Sequence, residues 1–327
     1  MKEANHYQQK KVGGFTMWNR REFITKLGLT GTFLCSGLFT KSLFAGSKNK
    51  AKITLLHTND LHSRIEPFPK SDPKHGGLGG FARLNALIKK VRRQEEHVLL
   101  FDCGDVYQGT PYFNFFKGEA EFKLMSKMGY DAGNIGNHEF DNGIKGLSSQ
   151  LNHLNFPLLN ANYNFTETDL DGKIPAYKIF DKGNLRIGVF GVGVDLTNLV
   201  LPRNRETISY INPVDIANKM VKILKTQNHC DLVVCLSHLG YTSNIGEDND
   251  VNFAKQSKGV DVILGGHSHT LLEKPEIIKN INGEKVLINQ VGWGGIALGR
   301  IDFYIDKKKN TKLASSQLIK VKGDIIS

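Results

Sequence analysis

The sequence predicts an α/β protein, a four-layer α/β/β/α sandwich of two mixed sheets flanked by helices. Three observations predict it. Apolar runs of strand length alternate with segments of helical period across residues 50–305. Hairpin signals interrupt that alternation, which makes the sheets mixed rather than purely parallel. Polar motifs rich in Asp, Asn and His follow the apolar runs at once or within a few residues, where open α/β sheets place their sites.

The elements follow in order. Ile53–His57 is a strand leading into Asn59-Asp60-Leu61-His62. Residues 64–77 are a polar loop with Pro67, Pro69 and Pro73. Leu78–Arg93 carries apolar residues at Leu78, Phe81, Leu84, Leu87, Ile88 and Val91, one face of a helix. Val98–Phe101 is a buried strand ending in Asp102-Cys103-Gly104-Asp105. Glu121–Met128 is helical and Gly129 stops it. Ala132–Ile135 is a short strand before Gly136-Asn137-His138; a helix over Ile144–Leu154 and a strand over Pro157–Asn160 follow. Tyr177–Phe180 and Leu185–Val192 form a hairpin around Lys182-Gly183-Asn184. Pro213 opens a helix running to Thr226. Asp231–Leu236 delivers Ser237-His238, and Val260–Leu264 delivers Gly265-Gly266-His267-Ser268-His269. Strands at Lys285–Gln290, Ala297–Ile305 and Leu313–Val321 complete the core.

With 40% hydrophobic and 23% charged residues in 327, the composition is that of a globular protein. The net charge of +11 invites a nucleic-acid reading until it is located. Residues 1–45 alone carry +5, and Lys307-Lys308-Lys309 reads as a solvated hairpin turn. No nucleic-acid partner is expected.

Residues 1–47 read as a targeting segment. Arg20-Arg21-Glu22-Phe23-Ile24 precedes a Gly-rich, weakly apolar stretch, Leu27–Thr40, then Lys41 and small residues around Ala45-Gly46-Ser47. That stretch is too short and too polar for a stable membrane span. It resembles a twin-arginine export signal, with Asn19 departing from the usual Ser or Thr, and Met17 is an alternative start. The expected location is periplasmic. Cys103, Cys230 and Cys235 remain in the mature chain. An extended strand separates Cys230 from Cys235 too widely to bridge, so all three read as small buried hydrophobes.

Seven candidate metal ligands lie in five motifs: Asp60 and His62, Asp105, Asn137, His238, and His267 with His269. Asp60-x-His62, on a turn after a strand, places two side chains on one side of the backbone, and His267-x-His269 does so as alternate residues of extended backbone. Asp105 is the candidate bridge, since one shared Asp can hold two cations about 4 Å apart for in-line attack on phosphorus. Asp102 has a turn or supporting role. An Asn carbonyl is an uncommon but good ligand for a hard cation. His138 then lies near the metals without binding them, suited to act as acid or charge stabiliser, with Asp141 orienting its ring. Glu139 is a structural acceptor and His57 a packed strand residue. His75, His97, His153 and His229 have no partners nearby in sequence. Arg64 and Arg83 are phosphate contacts or surface residues.

At these residues the chain resembles the calcineurin-like metallophosphoesterase superfamily, and more narrowly the catalytic domain of bacterial periplasmic 5′-nucleotidases and UDP-sugar hydrolases. The matching motifs are T-N-D-L-H-S (58–63), G-G-L-G-G-F-A-R (76–83), D-C-G-D-V-Y-Q-G-T (102–110), G-N-H-E-F-D-N-G (136–143), S-H-L-G (237–240) and G-G-H-S-H-T (265–270). The resemblance implies a metallophosphatase-like catalytic domain over 48–327. It implies one metal held by Asp60, His62, Asp105 and His269 and a second by Asp105, Asn137, His238 and His267, with His138 and Asp141 as the catalytic pair. The fitting ions are Mn²⁺, Zn²⁺, Fe²⁺ or Co²⁺. It implies phosphate release from a small phosphorylated substrate, first a nucleoside 5′-monophosphate. UDP-sugars, cyclic nucleotides, NAD or sulfur-carrier conjugates are the alternatives. The family's C-terminal substrate domain is not found before Ser327, so a separate chain supplying base recognition is a further expectation.

Overall fold

The computed structural model describes residues 50–205, 207–242, 248–306 and 311–323. The expected export signal and the Lys307–Lys309 run lie outside the described residues. In chain order the strands are β1 Lys50–Thr58, β2 Val98–Asp102, β3 Ala132–Asn134, β4 Leu158–Leu159, β5 Tyr163–Asn164, β6 Tyr177–Lys182 and β7 Leu185–Gly193. They continue as β8 Ser209–Tyr210, β9 Leu232–His238, β10 Val262–Leu264, β11 Glu276–Lys279, β12 Lys285–Asn289, β13 Ala297–Asp306 and β14 Thr311–Lys320. The helices are α1 Phe81–Gln94, α2 Pro111–Phe116, α3 Glu119–Met128, α4 Gly143–Gln150, α5 Pro202–Arg205, α6 Pro213–Val221 and α7 Asp250–Gln256.

Two six-stranded sheets carry the fold, ordered β14-β13-β1-β2-β3-β4 and β11-β12-β10-β9-β7-β6. Both are mixed. In the first, β1 through β4 are parallel and β13 runs antiparallel to β1. In the second, β7, β9, β10 and β12 are parallel, edged by antiparallel β6 and β11. Parallel neighbours need crossovers, and helices supply them except between β10 and β12, where the chain passes through β11. Strand neighbours show how the layers arise. Leu55 and Leu56 are both fully buried, but Leu55 packs between the sheets while Leu56 packs under α1 and α3. Leu99 and Leu100 divide the same way. In the second sheet Val234 faces the first sheet, whereas Val233 and Cys235 face Met220 and Phe253 of α6 and α7. Strands covered on both faces read as continuous apolar runs, as these do. The four-layer expectation holds.

Several boundaries differ from expectation. Helix α1 begins at Phe81, not Leu78, because Gly79 and Gly80 hold backbone at φ +80° and +94°. The helix from Pro213 is α-helical only to Val221 and continues as a π-helical turn over Lys222–Gln227. Helix α7 escapes periodicity because it is seven residues long; the Asn249 side chain caps it, accepting from Asn252 N. Cys103, Cys230 and Cys235 are free and buried, as expected. Among the described residues no helix is long and apolar enough to cross a membrane.

Candidate metal centre

The site forms where the parallel strands of both sheets end. Asp60 and His62 follow β1, Asp105 follows β2, Asn137 follows β3, His238 closes β9, and His267 and His269 follow β10. The sheets are bolted together close by. Asn134 Nδ2 donates to Val192 O (2.7 Å) and Leu236 O (2.9 Å), and Asn289 Nδ2 lies 2.9 Å from His57 Nε2.

Six of the seven predicted ligands, Asp60, His62, Asp105, His238, His267 and His269, come together with His138, while Asn137 is placed beside them only by its position before His138. Their ligand atoms group as Asp60–His62–His269, His62–Asp105–His138 and Asp105–His238–His267, each group within 4.8 Å. Asp105 Oδ2 lies 3.1 Å from His238 Nε2 and 4.0 Å from His62 Nε2. His62 Nε2 and His269 Nε2 are 2.9 Å apart, and His269 Nε2 is 3.5 Å from Asp60 Oδ1. His138 Nδ1 meets Asp141 Oδ2 at 2.9 Å, and both side chains are about one-third exposed, at 32%.

Five of these residues hold left-handed backbone: Asp60, His62, Asp105, His267 and His269, with φ between 47° and 74°. Such strain at non-glycine positions persists only where the surroundings impose it, and it clusters at functional sites. The imposing contacts are visible. Glu139 is buried and accepts from the backbone N–H of Gly136 (2.6 Å), Val106 (2.7 Å), Asp105 (3.0 Å) and Tyr107 (3.3 Å), so one carboxylate locks the β2 and β3 loops together. Asp102 accepts from Thr58 Oγ1 (2.6 Å) and Gly104 N (2.9 Å), the turn role expected of it. A Cβ on Gly136 would stand 2.2 Å from Asp105 Oδ1 and 2.8 Å from His238 Nε2, so only glycine admits this approach.

The donor set fits cations. Nδ1 of His238 lies 2.7 Å from Cys103 O and Nδ1 of His62 lies 3.2 Å from Tyr107 O. A carbonyl can only accept, so the proton of each neutral ring sits on Nδ1 and the Nε2 lone pair faces the cluster. There the His238 lone pair meets a carboxylate and that of His62 meets another imidazole. Both encounters are repulsive unless a proton or a metal ion stands between. Asn137 caps no backbone N–H with its side chain, and its Oδ1 is buried with no hydrogen-bond partner among the described residues. Burial pushes the Asp60 carboxyl up to about 7. Burial, and then the charge of His62, push His269 down to about 4; burial and His238 do the same to His267. Burial also opposes a charge on His238, yet Asp105 outweighs it and raises the ring to about 10.

Sequence reasoning missed two supports. Asn59 Nδ2 donates to Asp60 Oδ2 (2.6 Å) and Gly292 O (2.5 Å), while its Oδ1 accepts from Val291 N (2.9 Å). Trp293 stacks on the His269 ring, centroids 5.4 Å apart at 9°. His75 belongs to the same corner, 5.8 Å from Trp293 and 5.1 Å from Phe68. The two arginines turn elsewhere. Arg83 Nη1 donates to Gly77 O (2.7 Å), and Arg64 lies 4.4 Å over the Phe68 ring.

A two-sheet sandwich that gathers carboxylates and imidazoles at its strand ends is the architecture of a metal-dependent hydrolase. The chain belongs to the calcineurin-like phosphoesterase family, whose profile matches residues 53–271. It is 33% identical over 321 residues to snake venom 5′-nucleotidase of Crotalus adamanteus, covering 90% of this chain and 51% of that protein. It is similar to the 5′-nucleotidase precursor of Thermus thermophilus (TM-score 0.76, 32% identity, 84% of this chain and 55% of that one). It also resembles the Bacillus subtilis calcineurin-like phosphoesterase YfkN (TM-score 0.70, 26% identity, 85% and 93%). YfkN's full-length form bears the name trifunctional nucleotide phosphoesterase; the match there is 29% over 298 residues, 81% of this chain and 19% of that protein. The chain thus spans about half the length of the curated nucleotidase it matches.

Proposed function

We propose that the chain is an exported phosphohydrolase that holds two divalent cations and releases phosphate from phosphate monoesters, first among them nucleoside 5′-monophosphates. The observation that carries this reading is the place of Asp105, whose Oδ2 lies between His62 Nε2 and His238 Nε2 at 4.0 and 3.1 Å. Asp60, His62, Asp105 and His269 would hold metal one; Asp105, Asn137, His238 and His267 would hold metal two. The mixed oxygen and imidazole donors suit Mn²⁺, Zn²⁺, Fe²⁺ or Co²⁺. When bound, the pair supplies positive charge to the phosphate and lowers the pKa of a water.

The chain's own groups do the rest. His138 N donates to Asp105 Oδ1 (2.9 Å), which fixes the ring beside the ligands. Asp141 holds Nδ1, leaving Nε2 to face a substrate oxygen. Burial opposes a charge on His138, but the Asp141 hydrogen bond and the nearby carboxylates raise it to about 9. In the metal-free protein the ring is therefore cationic at neutral pH, and its place beside the ligands suits it to stabilise charge growing on the phosphoryl or leaving oxygen.

The 5′-nucleotidase relatives support the nucleotide substrate. The name of YfkN favours a second reading, a phosphodiesterase or pyrophosphatase on UDP-sugars or cyclic nucleotides. Phosphate release from AMP, UDP-glucose and an aryl phosphate, with Mn²⁺ or Zn²⁺ added, decides between them. A strong preference for AMP supports the nucleotidase reading. Equal turnover of the aryl phosphate would place base recognition in a separate chain. Export by the twin-arginine route rests on Arg20-Arg21. Replacing both with Lys is expected to leave the protein in the cytoplasm; unchanged export overturns that route.

A further inference from the structure

We infer that Trp293 is the positioning residue for metal one, holding the His269 imidazole by stacking where a hydrogen bond would ordinarily do so. The inference rests on the two-metal reading above. Metal-bound histidines are commonly oriented by a partner on the ring nitrogen away from the metal. His62 has Tyr107 O and His238 has Cys103 O in that place. His269 has no such partner among the described residues, its side chain is 40% exposed, and its backbone sits at φ +53°. What it has is the indole, parallel within 9° at 5.4 Å between centroids. Offset stacking of this kind is favourable beyond the area it buries.

The indole is itself held. Gly294 N donates to Asp60 O (2.7 Å), Gly292 N donates to Thr270 O (3.0 Å), and Gly292 O accepts from Asn59. The loop carrying Trp293 is therefore tied to the Asp60 motif and to the residue after His269. Phe68 and His75 meet the indole edge-on at 5.2 and 5.8 Å, and His62 at 6.1 Å. Trp293 thus links two ligand motifs far apart in the chain.

The test uses Mn²⁺ and the full chain. Bound Mn²⁺ is counted after dialysis against a fixed chelator concentration in wild type, Trp293→Phe, Trp293→Leu and His269→Ala. Losing an orienting partner costs about 10–100-fold in metal affinity, so Trp293→Leu is expected to fall from two ions to one, as His269→Ala does. Trp293→Phe keeps a ring on His269 and is expected to retain both. If Trp293→Leu keeps two ions while His269→Ala loses one, the two-metal reading stands and this inference falls. If His269→Ala also keeps two, both fall. Should Trp293→Leu fail to fold, fluorescence decides. The sequence has two tryptophans, Trp18 and Trp293. In Trp18→Phe, Co²⁺ binding is expected to quench the Trp293 emission; undiminished emission on Co²⁺ binding overturns the inference.

Discussion

His238 and His269 belong to different ligand groups of one cluster and are held by different means. His238 has no solvent exposure, closes a central strand, and lies 2.7 Å from Cys103 O through Nδ1. His269 follows a turn, is 40% exposed, and leans on an aromatic ring. The buried side is set by backbone: strand register, Glu139 locking two loops, and a glycine that leaves no room for error. The exposed side, with His138 and Asp141, is set by side-chain contacts that solvent can reach. A rigid floor with an adjustable rim is what a hydrolase needs if cations must stay while substrate enters and leaves. That difference can be broken at each level.

The largest effect is expected at Asp105, which belongs to both sides. Asp105→Ala should remove both cations and cost at least several kcal/mol of transition-state stabilisation, about 10³-fold or more in kcat/KM. Retention of either ion at wild-type affinity would refute its bridging place. His138→Ala tests the rim alone. It should lower kcat by about 10²–10⁴-fold with metal content unchanged; an unaltered rate removes His138 from the chemistry. Glu139→Ala tests the floor. Each backbone N–H orphaned there costs about 1–3 kcal/mol, so thermal unfolding should shift down by many degrees, and an unchanged Tm would show that the loops hold without it.

The smallest effect concerns His57, buried between the sheets beside Asn289. Burial pushes its pKa from 6.5 down to about 3. The unfolded chain binds a proton at 6.5 that the fold refuses until about 3. Stability from this group is therefore complete above pH 6.5 and is lost as pH falls toward 3. His57→Gln should flatten that acid limb of the Tm against pH curve in metal-free protein. An identical limb would assign the acid sensitivity to other groups.

The ligand motifs were legible because each combines a strand-length apolar run, a glycine or turn, and a donor side chain. That combination survives in one dimension. The His138–Asp141 pairing was legible because three residues on a tight turn return to the same side. Arg64 and Arg83 stayed undecided in sequence, since an arginine near a motif looks alike whether it reaches outward or, as Arg83 does, back to Gly77 O. Trp293 was invisible. A lone aromatic among glycines has no period, and its partner His269 is remote in the chain.

The sequence by itself determined the layer order, the longer central strands, the donor residues and their places at strand ends, because alternation, helical period and turn chemistry are local; the short strands β5 and β8 and the edge strand β11 had no such signal. The tertiary structure decided which donors face one another. It buried the Asn137 side-chain carbonyl with no partner among the described residues, made Glu139 the lock between two loops, and set Trp293 against His269. These depend on how two sheets meet and which loops then collide, and close packing between distant segments leaves no trace in the spacing of residues along a chain.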